Sequence, residues 1–212
     1  MSVRRALGLF VALVVAMAIA PKLAQASVAS EELVRQAREH EAQHDDDVAA
    51  KRYSEALGLE PTSAAAYLGL GALRLRHGDY REAERVFAVA IEQVAGLRLA
   101  LAGLARARWG LGRHTDAEET MESYLVAEPS DADALKEIAA WYGADARPPA
   151  QLAAWRRLLV LAAASNDATR VHEARSTVRA LQLLVGLADP VTSPIGPNAT
   201  RATIARVARR GG

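Results

Sequence analysis

Residue types in this chain recur at a spacing of 34. Ala49, Ala83 and Ala117 stand in register, as do Tyr53, Phe87 and Met121, then Ala56, Ala90 and Tyr124, then Leu57, Ile91 and Leu125. A second set stands earlier in the same period: Leu33, Tyr67, Leu101 and Leu135, with Ala37, Gly71, Ala105 and Ala139. Gly78 and Gly112 are one period apart, and Pro61 and Pro129 are two. A chain built this way is confined to a stack of like units, each too small to bury its own apolar face.

The residue types at those offsets describe a helical hairpin. Gly71 and Ala83 in one unit, and Ala105 and Ala117 in the next, let two antiparallel backbones approach closely. Large apolar residues such as Tyr67, Leu70 and Phe87 fill the space beside them at helical offsets. Gly78 and Gly112 suit the end of a first helix. Asp79 and Asp116 fall where a second helix begins and are expected to cap it. Pro61 and Pro129 stop the second helix. The register gives units at 30–63, 64–97 and 98–131, and a degenerate fourth at 132–165 whose second helix starts at Pro148-Pro149. A capping helix follows at about 167–187 and ends at Asp189-Pro190. Hydrophobic residues make up 51% of the chain, many of them alanine, which favours helix and close helix packing. No run of alternating β-branched residues argues for a strand. Trp141 and Trp155, in the degenerate unit, read as core.

The copy at 64–97, with Tyr67, Leu70, Gly71, Gly78-Asp79-Tyr80, Ala83, Phe87 and Ala90, resembles the tetratricopeptide repeat signature at nearly every position. The resemblance implies an all-α, right-handed superhelix of antiparallel helix pairs with a C-terminal capping helix. It also implies that the first helices of successive units line a concave groove for a protein or peptide. By register the groove positions are Val34 and Arg38, then Leu68, Ala72, Leu75 and Arg76, then Ala102, Arg106 and Trp109, with Lys136 from the fourth unit. Four cations on one face suggest a partner of acidic character, held by arginine–carboxylate pairs. Some relatives clamp a terminal carboxylate with Lys and Asn in the groove. Val34 and Gly69 stand at those places here, so that mode is not expected.

One motif looks catalytic. His40-Glu41-Ala42-Gln43-His44 matches H-E-x-x-H, which on a helix sets two imidazoles for zinc beside a glutamate base. The register works against a zinc hydrolase: His44 falls where Gly78 and Gly112 fall, in a turn, and Asp45-Asp46-Asp47 reads as the start of the next helix. No metal is expected. There is no Walker-type glycine-rich loop, and no cofactor is expected. His77 and His114 lie in or near turns and read as solvated.

The two ends differ from the middle. Arg4 and Arg5 precede an uncharged apolar run, residues 6–20, followed by Pro21 and Ala24-Gln25-Ala26. The three parts make residues 1–26 a secretory signal peptide; the alternative is an uncleaved membrane anchor through residues 6–20. Either places the repeats (27–187) outside the cytoplasm, in a periplasm or on the outer face of the inner membrane. The chain has no Cys, which rules out disulfides and a lipid-modified cysteine. Without residues 1–26, which hold Arg4, Arg5 and Lys22 and no acid, the 26 basic residues fall to 23 against 25 acids. Residues 191–212 carry four arginines and no acid, so the acidic body ends in a basic tail, 188–212, expected to be disordered. The sequence therefore reads as an exported, non-catalytic interaction scaffold, an adaptor or assembly factor. Nucleic acid is not an expected partner; self-association through the final helix is compatible with it.

Overall fold

The structure, a computed structural model, describes residues 25–188. The apolar run 6–20, the first 24 residues of the signal segment and the tail from 189 lie outside the described residues. Among the described residues there are nine helices and no strand: α1 (25–42), α2 (Asp46–Leu59), α3 (Ala64–Arg76), α4 (Tyr80–Gln93), α5 (Arg98–Gly110), α6 (His114–Ala127), α7 (Ala132–Ala144), α8 (Pro148–Ala164) and α9 (Ala168–Ala188). None of these helices is long and apolar enough to cross a membrane. The described residues fall into two compact units that meet in sequence between Ala127 and Glu128. The first contributes α1–α6 and the second α7–α9.

The turns between paired helices are copies of one another. His44, Gly78, Gly112 and Ala146 all have positive φ, at 63°, 76°, 75° and 51°, and stand 34 residues apart. Each turn closes with the same two backbone bonds. The amides of Asp45, Asp79, Arg113 and Arg147 donate to the carbonyls of His40, Arg74, Arg108 and Tyr142 at 2.8–3.0 Å. The amides of the four positive-φ residues donate three residues back, to Glu41, Leu75, Trp109 and Gly143. This 6→1 and 5→2 pair satisfies the last carbonyls of the first helix. Only two of the four positions carry the glycine that the conformation favours, so the period is kept by the backbone even where the residue departs from it.

Within the first unit, α3 packs against α2, α4 and α5. Val34 and Ala37 of α1, Tyr53 of α2, Tyr67, Leu70 and Leu73 of α3, Phe87 of α4 and Leu104 of α5 share one buried core. Rings seat against glycines in a regular way. A Cβ on Gly69 would lie 2.5 Å from Tyr53 Cε1, and one on Gly103 would lie 2.6 Å from Phe87 Cε2. Tyr53 and Phe87 are one period apart, and so are Gly69 and Gly103. Phe87 also faces Gly71, whose Cβ would come within 2.6 Å of its Cε1. One ring is thus held between a glycine of α3 and a glycine of α5. The next pair by register is Met121 and Glu137, and the division of the chain into two units falls between them.

Two expected caps are not caps. Asp79 occupies the N-cap position of α4 but makes no side-chain cap bond; its carboxylate instead accepts from Arg74, 3.3 Å away across the turn. Asp116 lies inside the first turn of α6, where it accepts from Arg113 at 3.0 Å. A nearby guanidinium outcompetes a neutral amide for the carboxylate. Asp131 does cap its helix, accepting from the amides of Asp133 and Ala134 at 3.0 Å each. In the second unit Trp141 and Trp155 are buried, with α7, α8 and α9 packed in sequence.

Candidate functional site

The outer face of α3 follows from its buried one. Ala66, Tyr67, Leu70, Gly71 and Leu73 point into the core. At 100° per residue this leaves Ala65, Leu68, Ala72, Leu75 and Arg76 along the opposite side. Ala72 and Arg76 are exposed, and Ala65, Leu68 and Leu75 half-buried. The same offsets on α5 give Leu99, Ala102, Arg106 and Trp109. Leu99 and Arg106 are exposed, Trp109 is half-buried and Ala102 is buried. On α1 they give Glu31, Val34, Arg38 and Ala42. These four, with Arg35, Glu39, Ser63 and Ala65, line a cavity of about 410 Å³. Val34 contributes little exposed surface there because most of it is packed into the core. Trp109 stacks on His114, with ring centroids 4.0 Å apart and 15° between planes.

The cations at these positions differ in what they hold. Arg76 Nη2 donates to Glu41 Oε1 at 2.9 Å and to Asp46 Oδ1 at 3.2 Å, so it ties α3 to α1 and α2. The hydrogen bond it donates to Glu41 raises the pKa of its guanidinium further. Lys136, in the second unit, donates to Glu173 of α9 at 2.6 Å. Arg38 is exposed on α1, beside the Tyr53 hydroxyl. Arg106 is exposed two periods further on, with the small Ala72 at the intervening position.

The H-E-x-x-H segment does not form a zinc site. His40 lies in the last turn of α1 and His44 sits beyond it in the positive-φ turn, so the two imidazoles do not share a helix face. Glu41 is committed to the fold: it accepts the Tyr53 hydroxyl at 2.6 Å through Oε2 and Arg76 through Oε1. Burial first, and this bond second, push the Tyr53 hydroxyl's pKa up. Asp46 also accepts from His77 Nε2 at 2.6 Å, and this bond lowers its pKa below the ordinary carboxylate range. His77, exposed as expected, is partnered by Asp46 from 31 residues away, and half-buried His114 stacks on Trp109 across a single turn. Among the described residues no group of three or more His, Cys, Asp or Glu is placed to hold a metal.

The tetratricopeptide repeat profile matches residues 41–101 and 74–142, overlapping windows that span the in-register turns. The chain is a tetratricopeptide repeat protein. Its all-α fold is of the tetratricopeptide type, and solved structures agree. MamA is 15% identical with a TM-score of 0.60, over 82% of this chain and 87% of that one. A tetratricopeptide repeat protein from Parabacteroides merdae ATCC 43184 is 17% identical with a TM-score of 0.59, over 73% and 60%. The first TPR of Spaghetti (RPAP3), bound to the HSP90 peptide SRMEEVD, is 20% identical with a TM-score of 0.54, over 57% and 95%. At these identities the likeness is one of fold. No curated protein matches the chain.

Sequence reasoning missed three things about this tetratricopeptide face. Leu99 is 54% exposed on its rim, and carrying the register from Glu31 and Ala65 would have found it. Glu41 and Asp46 anchor Arg76 from about 30 residues away, which no local pattern signals.

Proposed function

We propose that the protein is a non-catalytic scaffold of the cell envelope, an adaptor or assembly factor that holds a client segment on the α1–α3–α5 face. One observation carries this reading. Arg38 and Arg106 stand exposed at equivalent repeat positions, on either side of a helix whose outward positions Ala65, Leu68, Ala72 and Leu75 are apolar up to Arg76 at its end. An apolar floor between two exposed guanidiniums suits a ligand with an apolar centre and carboxylates beside it. The peptide SRMEEVD bound to the first TPR of Spaghetti carries acidic residues, in keeping with that chemistry. A Lys–Asn clamp at the register of Val34 and Gly69 is not available, since Gly69 is filled by the Tyr53 ring.

The envelope assignment rests on Arg4, Arg5, the apolar run 6–20 and Ala24-Gln25-Ala26. The test has two arms. Mass spectrometry of the protein from its native envelope should show a chain lacking about the first 26 residues; a full-length chain in the cytosolic fraction would overturn the assignment. Capture from envelope extract should return clients that are lost when Arg38 and Arg106 are both changed to Glu. Identical clients from both proteins would end the groove reading. Arg76 is left intact because its reversal would also break the tie to Glu41 and Asp46.

A further inference from the structure

From α3 to α6 charge is sorted by helix type. The sequences of α3 and α5 contain five arginines, Arg74, Arg76, Arg98, Arg106 and Arg108, and no carboxylate. Their partners are the reverse: α6 carries Asp116, Glu118, Glu119 and Glu122 with no basic residue, and α4 carries three glutamates against two arginines. Arg74, Arg76 and Arg108 are bridged to Asp79, to Glu41 and Asp46, and to Glu84 within the fold. Arg98 and Arg106 also interact within the fold and are exposed on α5. The outer face therefore has a positive rim on α5 and a mixed rim on α1, where Arg38 lies among Glu31, Arg35 and Glu39.

The floor between the rims has a second property. Ala65, Leu68, Ala72 and Leu75 carry no side-chain donor or acceptor. An extended peptide pressed onto them would lose water from backbone amides and carbonyls with nothing to replace it, at a cost of about 1–3 kcal/mol for each group left unpaired. A helix brings its backbone bonds with it and presents only side chains. The dimensions agree. Neighbouring packed helices lie 8–10 Å apart, so α1 and α5 are separated by roughly 16–20 Å, and a helix about 10–12 Å across fits above α3. From Ala65 to Leu75 the floor runs about 15 Å, close to three turns.

We infer that the occupant of this face is an acidic amphipathic helix of about three turns, its apolar stripe on Ala65, Leu68, Ala72 and Leu75 and its carboxylates toward Arg106, Arg98 and Arg38. This rests on the groove reading above and specifies the ligand. The chain's own tail, Thr200–Arg210, is not that occupant: it carries four arginines and would meet like charge on α5.

The test uses the full mature chain and two labelled synthetic peptides of equal length and charge. One carries leucines at i, i+3, i+7 and i+10 with glutamates beside them; the other has the same composition in scrambled order with two central prolines. Fluorescence anisotropy should show the helical peptide binding at least tenfold more tightly. Ala72→Glu and the Arg38→Glu/Arg106→Glu pair should each weaken it tenfold or more, with far-UV circular dichroism of the protein unchanged. Equal binding of the proline peptide, still dependent on the two arginines, overturns the helix inference and leaves the groove reading standing. Binding of neither peptide, or binding indifferent to these substitutions, overturns both.

Discussion

Gly103→Ala sets helix propensity against packing, and the structure decides the winner. Alanine in a helix interior is better than glycine by about 0.5–1 kcal/mol. At position 103 the new methyl would lie 2.6 Å from Phe87 Cε2, well inside contact distance. The ring has no room to retreat: it is 2% exposed, and Gly71 of α3 closes on it from another side. Forcing a methyl into a filled core costs about 1–3 kcal/mol. The net expectation is a loss of about 1 kcal/mol, the middle of the roughly 0–2.5 kcal/mol that the difference of those two effects spans. Gly58 supplies the control, because it lies in α2 with nothing within 4 Å of a Cβ, and Gly58→Ala should gain about 0.5–1 kcal/mol. Urea unfolding followed by far-UV circular dichroism should move the midpoint in opposite directions for the two proteins, at unchanged slope. In a Phe87→Leu background the loss from Gly103→Ala should shrink, a coupling that a double-mutant cycle isolates. If Gly103→Ala stabilises as much as Gly58→Ala, the ring-and-glycine account of repeat stacking is wrong.

Three further outcomes are expected. Ala146→Gly should stabilise the protein by about 0.5–1 kcal/mol by relieving a positive φ of 51°, whereas Gly112→Ala, at 75°, should cost about 1–2 kcal/mol; thermal melts check both. Asp46→Asn should lower the melting temperature at neutral pH. Because the folded-state pKa of Asp46 is depressed, its contribution is present above the ordinary carboxylate pKa and lost as pH falls below it, so the two melting curves should converge in acid. Trp155→Ala should cost about 3–5 kcal/mol and half-buried Trp109→Ala clearly less, a ranking that urea titration would reverse if Trp109 were core.

The parts of this fold legible in the sequence are those a single period encodes. Ala49, Ala83 and Ala117 are all completely buried, and Tyr53, Phe87 and Met121 nearly so, because position in the period fixes the direction of each side chain. His44 was legible as a turn residue despite being no glycine, since register outweighs local preference. Side-chain partnership was not legible. Asp79 stands where a cap should be, yet its carboxylate turns to Arg74, a choice between two nearby partners that spacing does not rank. Glu41 looked like a general base because its neighbours in sequence are histidines. Its partners in space are Tyr53 and Arg76, brought to it by a turn and by the next hairpin. The candidate site was legible as a set of positions, and the partners of its cations were not, because Arg76 and Lys136 are bridged by carboxylates from helices that the register alone does not pair with them.

Four turns with the same backbone bonds amount to four identical splice points. A cassette of 34 residues running from Asp79 through Gly112 begins and ends in the same local geometry, so its ends could be joined to a second copy without any new loop. The Phe87 ring and the Gly103 it seats against both lie inside this cassette, so each copy would carry that pairing with it. Lengthening this protein is therefore a matter of duplication at a seam the chain already contains, and each copy would add one more helix of the α5 kind, with its Arg106 and Trp109, to the outer face.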